Sequence, residues 1–403
     1  MSTEYQRALG RRIAQERRRR GLSQTELARL VDRSVAWISQ VERGVRRIDR
    51  MSVLERLAEA LDVPLAELAA EAPLIAAADE EMPGTAKLRL VLSGVHALHA
   101  MLHPAPAPPV SELRSQVERA WELTHESRYT ELADLLRGLI PELEGAARSA
   151  EADRRPELFE LLATTYQTCS ASLAKLGEPE AAWIAADRAI AAAERTGNPL
   201  LMAAGAYRLG FVFLGARHFD QAEEVARTAA DALSNLADEG NPEAMSLWGA
   251  LTLQRAMAAA HLNQADPAYH HLARAREMAE RLGEGRNDFN TEFGPANVAL
   301  YEVAVAVELG DAGRAIRIGT TVDTSVLSSE RRARLHIDLA RAHAQRRRVD
   351  DAVAALRTAE SITPEQVHNH RIVRRLVGDL LTMQNPPSAE LRELAGRVGA
   401  LTP

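Results

Sequence analysis

The side chains best suited to chemistry in this sequence are arginines, and they are concentrated at its N-terminal end. Residues 1–50 contain 13 Arg and 6 acidic residues, a net charge of +7. The full chain of 403 residues has a net charge of −7, so the remaining 353 residues carry −14. A basic segment joined to an acidic remainder suggests that one end meets a polyanion and the other does not. The run Arg17–Arg20 is also explained by a solvated helix face, so the surrounding pattern must decide.

That surrounding pattern predicts a bundle of short helices. A first helix over 5–20 ends at Gly21, which suits the left-handed position after a helix. Ser23 and Glu26 form the S-x-x-E capping box that begins a second helix. Ser34 begins a third helix, and two more are predicted before residue 70. The second and third helices are joined by a turn of three or four residues, the arrangement of a helix-turn-helix, whose second helix enters the major groove of DNA.

The stretch LSQTELARLVDRSVAWISQVERG, residues 22–44, resembles the phage-repressor-type helix-turn-helix of the XRE family. The matching residues are spread over both helices: Gln24, Glu26, Leu27, Ala28, Ser34, Ile38, Ser39, Glu42 and Gly44. The resemblance covers about residues 6–70 and implies a five-helix DNA-binding domain. It also implies a structural ion pair between Arg17 and Glu42, a fork that fixes the first helix against the third. The turn departs from the family pattern with Asp32 and Arg33, although Asp tolerates left-handed conformations.

The resemblance further implies which side chains meet DNA. In this family the bases are read from the first exposed positions of the third helix and from one turn later. The base-contact candidates are Val35, Ala36, Ser39, Gln40 and Arg43. Gln40 can pair with N6 and N7 of adenine, and Val35 or Ala36 can contact a thymine methyl group. The phosphate-contact candidates are Gln24, Ser34, Arg33, Arg46 and Arg47.

Residues 71–110 are predicted to form a linker that contains one helix. His96, His99 and His103 would share one face of that helix, a spacing that can present imidazoles to a metal ion. No carboxylate or Cys completes a ligand set. We therefore expect histidines at an interface or a core edge, and no metal site.

Residues 111–403 show the periodicity of a helical repeat array. Short turns recur before helices that carry small residues at i and i+7. These pairs are Ala182/Ala189, Ala222/Ala229, Ala268/Ala275, Ala315/Val322 and Ala352/Ala359. Small residues at this spacing let helices approach closely, so each helix pair would bury its face against the next pair. The pattern resembles a divergent tetratricopeptide (TPR) solenoid, and the predicted fold class is all-α: a helix-turn-helix domain over 1–70, then an α-solenoid.

A helix-turn-helix domain followed by such an array resembles bacterial peptide-sensing quorum regulators. The resemblance implies a cytoplasmic homodimer that binds double-stranded DNA at a near-palindromic operator. The concave surface of the repeats would be the receptor for a peptide or small molecule, since aromatic walls with fixed donors suit an extended peptide. The candidate ligand residues are Tyr166, Tyr207, Arg208, Arg255, Asn297 and Tyr301. For a single residue such as Tyr166 or Tyr207, core packing is the alternative explanation.

The sequence lacks the motifs of the common enzymes. It contains no G-x-x-x-x-G-K-[ST], H-E-x-x-H or G-x-S-x-G, so we expect no catalytic residues and no cofactor. The one cysteine, Cys169, excludes a disulfide framework and a Cys-based zinc site. Without an apolar run of about 18 residues or a signal segment, we expect a cytoplasmic protein without membrane contact. The competing hypothesis is a protein-interaction adaptor, in which the repeats bind a partner protein and the helix-turn-helix only localises it.

Overall fold

The computed structural model describes residues 3–46, 48, 51–64, 68, 83–92, 108–384 and 386–400. All regular secondary structure in these residues is helical, which confirms the predicted all-α class. The predicted metal-spacing histidines, and most of the linker, lie outside the described residues.

The N-terminal domain begins with four helices: α1 (Thr3–Arg19), α2 (Gln24–Leu30), α3 (Val35–Glu42) and α4 (Met51–Leu61). Ser23 accepts a hydrogen bond from the backbone N–H of Glu26 at 3.2 Å, and the Glu26 carboxylate accepts the Ser23 N–H in return, so the capping box begins α2. Ser34 caps α3 by accepting from Trp37 N at 3.1 Å. Asp32 takes the left-handed conformation (φ 51°) that the short turn requires. The buried core includes Leu9, Ile13, Leu27, Ile38 and Leu57.

One short helix, α5 (Pro83–Val91), precedes the array, which we define as α6 to α20. Its helix pairs are α6 (Val110–His125) with α7 (Tyr129–Ser149), α8 (Arg155–Lys175) with α9 (Pro179–Glu194), α10 (Pro199–Gly215) with α11 (Phe219–Asp238), α12 (Pro242–His261) with α13 (Ala265–Leu282), α14 (Pro295–Glu308) with α15 (Ala312–Gly319), and α16 (Ser329–Gln345) with α17 (Val349–Ile362). The end is formed by α18 (Pro364–Asn369), α19 (Arg371–Met383) and α20 (Ala389–Arg397).

Successive first helices of the pairs contact one another in a continuous layer, and we call the side that they line the inner surface. The predicted small residues lie at the helix contacts, and Ala182, Ala189, Ala222, Ala268 and Ala275 are all buried. The array also returns on itself, because α6 packs against α16. The second pair also reaches α16, because Lys175 Nζ at the end of α8 lies 3.2 Å from Glu330 Oε2.

Two details of the array differ from the pattern. The i+7 position of the fourth unit, Val322, lies beyond the end of α15 at Gly319, so only Ala315 of that pair packs within a helix. The regular pairing also ends at His370, whose extended backbone ends α18 and separates it from α19. The His370 ring then caps α19 by accepting a hydrogen bond from Ile372 N at 3.2 Å.

The helix-turn-helix domain is held on the array by the C-terminal end of α1. Arg19 donates to the carbonyl oxygens of Ala260 (3.1 Å), His261 (2.7 Å) and Glu308 (3.2 Å) at the C-terminal ends of α12 and α14. Carbonyls in the last turn of a helix have no partner within the helix and carry the negative end of its dipole. The guanidinium of Arg19 therefore satisfies two helix ends at once. Gly21 allows this close approach, because a Cβ atom at its position would lie only 2.8 Å from Ala344 O of the array.

Ion pairs between the two parts reinforce this contact. Arg20 pairs with Asp379 of α19, and Arg347 pairs with Glu26 of α2 at 2.6 and 2.8 Å. Burial raises the pKa of Glu26, but the hydrogen bonds from Arg347 and Ser23 outweigh burial and bring this pKa to about 2. Glu26 is therefore ionised at neutral pH. Of the arginine run of α1, Arg19 and Arg20 bind the array, whereas Arg17 binds Glu42 within the domain and Arg18 is exposed.

We expect Arg19→Met to weaken the attachment, because it keeps the aliphatic stem and removes the donors to three carbonyls. Hydrogen bonds to a charged group typically contribute about 1.5–3 kcal/mol, so the free energy of unfolding should fall by about that amount in urea denaturation of the full chain. The matched control is Arg18→Met, which changes the exposed neighbouring arginine. An equal loss of stability in both variants would contradict the assignment.

Candidate nucleic-acid interface

Helix α3 presents the predicted base-contact residues along its accessible side. Val35 is 40% exposed, Ala36 and Arg43 are exposed, and Ser39 and Gln40 are half-buried. On the opposite side Ile38 and Val41 are fully buried in the domain core. The amphipathic pattern therefore turns the side chains that can read base edges away from the core.

Two contacts fix the position of α3 within the domain. Arg17 of α1 donates to both carboxylate oxygens of Glu42, at 2.5 and 3.0 Å, and the two side chains are only 11% and 7% exposed. Gln24 of α2 donates to the same carboxylate at 2.8 Å. One acidic group at the end of α3 thus binds side chains from both preceding helices. A bidentate Arg–carboxylate pair fixes orientation as well as distance.

Four of the five predicted phosphate-contact residues lie around α3 in the described structure, although several also have partners within the domain. Ser34 accepts the capping hydrogen bond, and the Gln24 amide is engaged with Glu42. Arg33 lies over the Trp37 ring at 5.8 Å. Arg46 is exposed, whereas Arg47 lies outside the described residues. The phosphate and base contacts stay predictions, since no nucleic acid is present.

The array leaves the outer side of α3 open. Its ion pairs and hydrogen bonds to the N-terminal domain involve the end of α1, Glu26 of α2 and the end of α4. Within the described parts of the chain, no hydrogen bond or ion pair joins α3 to the array. Polar contacts from the array therefore leave the exposed residues of α3 unengaged in the described structure.

The structure brings together four of the six candidate ligand residues. They contact another segment of the same chain. Tyr207 and Arg208 of α10 and Asn297 and Tyr301 of α14 are buried at the inner surface. Arg208 donates to the backbone carbonyl of Phe289 at 2.7 Å, and Asn297 donates to that of Thr291 at 3.3 Å. These acceptors belong to residues 287–293, which we call the internal segment. The surface predicted as a receptor thus contacts a connection between two helices.

The other two candidates lie elsewhere. Arg255 is paired with Glu223 at 3.0 Å. Tyr166 lines a separate cleft of about 640 Å³ between α7 and α9, where its hydroxyl donates to Glu144 at 2.5 Å. The guanidinium of Arg188 lies 5.7 Å from the centre of the Tyr166 ring. Tyr166 therefore lines this separate cleft and not the inner surface.

Sequence reasoning missed several residues of the inner surface. Arg331 donates to the carbonyl of Thr291 at 3.3 Å, and His125 lies 3.8 Å from the Glu292 carboxylate. Arg331 and Glu330 are buried charges on an inner helix, and a charged residue at a predicted core position is the signal that could have found them. No local signal marks the partners of Arg19, because its acceptors are backbone carbonyls.

Comparison with known protein families identifies the N-terminal domain. A family model described as a helix-turn-helix domain matches residues 8–70. This match assigns the N-terminal part to the helix-turn-helix proteins, a DNA-binding class, and does not extend into the array. A search of curated proteins found no match.

The described part of the chain shows neither a membrane span nor a metal cluster. None of the described helices is both long and apolar enough to cross a bilayer. The same residues contain no group of three or more His, Cys, Asp or Glu side chains placed to hold a metal ion.

We expect Glu42→Ala to destabilise the helix-turn-helix domain, because it leaves the poorly exposed Arg17 guanidinium and the Gln24 amide without their acceptor. Removing one partner of a buried pair costs about 3–5 kcal/mol, and the partial exposure here places the loss at the lower end of that range. Thermal denaturation followed by circular dichroism measures the loss. Glu55→Ala, which changes an exposed glutamate on α4, is the control and should unfold like the wild type.

Proposed function

We propose that this protein is a sequence-specific, DNA-binding transcriptional regulator. The observation that carries the proposal is the outer side of α3, where Val35, Ala36, Gln40 and Arg43 lie in a helix-turn-helix whose array leaves that side open. Gln40 reads adenine through its amide, and Arg43 reads guanine or contacts a phosphate. The net charge of +7 on residues 1–50 supports attraction to the phosphate backbone.

The regulator acts as a homodimer on a near-palindromic operator. One α3 reads only a few base pairs, and two copies double the length of DNA that is recognised. Two such domains place their recognition helices about 34 Å apart, one turn of the duplex. The distance and freedom between the two domains then set the affinity for DNA.

The array controls that geometry in response to a ligand. Support comes from Arg19, which binds the ends of α12 and α14, so a shift of these two helices moves the DNA-binding domain. A peptide or small molecule bound at the inner surface changes DNA affinity only if it binds two arrangements of the array with different affinity. The array is a receptor in this proposal, and the protein is a non-enzymatic regulator.

We expect Gln40→Ala and Arg43→Ala each to weaken binding to a specific operator by about 5- to 150-fold, the range given by 1–3 kcal/mol for a base-reading contact. Fluorescence anisotropy with DNA from the protein's own promoter region, against an unrelated duplex of equal length, measures this loss. Affinity for the unrelated duplex should change much less, because phosphate contacts dominate non-specific binding.

Arg137→Ala provides the control for that experiment, since it removes an exposed arginine of α7 far along the chain from α3. Unchanged specific binding in both α3 variants would overturn the base-reading assignment. If the protein binds no DNA with salt-dependent affinity, the adaptor hypothesis, in which the repeats bind a protein partner, takes its place.

We expect native mass spectrometry of the full chain to give twice the monomer mass of 44.0 kDa. Purification from the native host allows the same spectrum to reveal a bound ligand as extra mass. A mass of 44.0 kDa at micromolar concentration, unchanged when operator DNA is added, would contradict the homodimer.

A further inference from the structure

One connection in the array is much longer than the turns around it. Residues 283–294 join α13 to α14, whereas only 262–264 join α12 to α13. Instead of passing over the outside, the internal segment runs along the inner surface and contacts α10, α12, α14 and α16. The array therefore encloses a stretch of its own chain.

Side chains of the array bind the backbone of the internal segment. Arg208 donates to the carbonyl oxygens of Phe289 (2.7 Å) and Asn290 (3.0 Å), and Arg331 and Asn297 both donate to that of Thr291 (3.3 Å each). All three donor side chains are at least 95% buried. Phe289 and Asn290 lie in a one-turn 3-10 helix, Asp288–Asn290. Because every peptide presents backbone carbonyls, these donors can bind a peptide backbone independently of its side chains.

The side-chain contacts of the segment favour an acidic residue. The Glu292 carboxylate accepts hydrogen bonds from Ser328 N and Oγ at 3.1 Å each, and it lies 3.5 Å from Arg331 Nε. Next to it, Phe293 is 1% exposed and occupies space that only a glycine at 249 leaves free, since a Cβ there would lie 2.0 Å from the ring. The surface thus provides a carboxylate site beside an aromatic pocket.

The internal segment fits this surface imperfectly. Phe289, Asn290 and Glu292 adopt left-handed backbone conformations (φ 50°, 55° and 51°). Asn tolerates this region, so the strain falls on Phe289 and Glu292. Two buried groups of the same surface, Trp121 Nε1 and the Tyr301 hydroxyl, have no hydrogen-bond partner among the described residues. A separate peptide is not tied to α13 and α14, so it can bind the same donors without these strained conformations.

We propose that the internal segment is a built-in peptide that occupies the peptide-binding surface of the array. The external ligand is a short acidic peptide with a neighbouring aromatic residue, and it binds by displacing the internal segment. This inference rests on the proposed function, because it names the ligand class for the receptor surface. It also explains why strongly polar side chains are buried at the inner surface.

The test uses a fluorescein-labelled peptide with the sequence Asn-Asp-Phe-Asn-Thr-Glu-Phe, which copies residues 287–293. Binding to the full-length protein is followed by fluorescence anisotropy. Glu292→Ala weakens the internal segment but leaves every donor of the surface intact. The peptide should bind this variant at least tenfold more tightly than it binds the wild type.

Three controls test whether the peptide binds at the site of the internal segment. Asp323→Ala removes an exposed carboxylate from the nearby 320–328 connection and should leave peptide affinity at the wild-type value. A peptide with Gln in place of its Glu should bind Glu292→Ala at least tenfold more weakly than the original peptide. Adding Arg208→Met to Glu292→Ala should abolish binding, because the donor to two carbonyls is lost.

The inference is overturned if the peptide binds Glu292→Ala no more tightly than the wild type, or if Arg208→Met leaves binding unchanged. Circular dichroism identifies a variant that fails to fold, and Glu292→Gln, which keeps the side-chain size, then replaces Glu292→Ala. Measurements of operator binding separate this inference from the proposed function. If the peptide binds but the affinity for operator DNA does not change, the peptide site is supported and control of DNA binding by the ligand is contradicted. If the protein binds DNA normally but does not bind the peptide, only the peptide site is contradicted.

Discussion

The guanidinium of Arg19 joins the two parts of this protein, and the position of the helix-turn-helix domain on the array depends on that contact. It donates to carbonyls in the last turns of two inner helices, α12 and α14, where the intrahelical donors run out. Acceptors that belong to two helices make the position of α1 sensitive to the distance between them. The ion pairs of Arg20 with Asp379 and of Arg347 with Glu26 add further contacts between the helix-turn-helix domain and the array.

The array itself combines small residues with enclosed charge. Buried alanines allow the helices of each pair to approach closely, and this close packing curves the layer of first helices until α6 meets α16. The enclosed inner surface contains buried charged groups such as Glu330 and Arg331, which must be paired to be tolerated there. The internal segment supplies part of that pairing through Glu292 and its backbone carbonyls.

Local features of this fold could be predicted from the sequence, whereas contacts between distant residues could not, and the difference has physical reasons. Capping side chains act within three residues, so Ser23, Glu26 and Ser34 allowed the helix-turn-helix to be predicted from local pattern alone. The small-residue spacing similarly predicted paired helices. The contacts of Arg19 join residues more than 240 positions apart and end on backbone carbonyls, which carry no residue identity. The location of the internal segment could not be predicted for a related reason. A loop composition does not show whether a connection lies inside the array or outside it.

The contact between α6 and α16 also limits how this architecture can change over evolutionary time. An open solenoid gains or loses a helix pair at little cost, since each pair touches only its neighbours. Here the first two pairs meet the C-terminal helices through Lys175 with Glu330 and through Ser127 with Gln366, and the contacting atoms lie 3.2 Å apart in both cases. Insertion or deletion of one pair would move these partners out of register. The number of helix pairs is therefore set by ring closure, and variation between relatives should accumulate within the pairs rather than in their number.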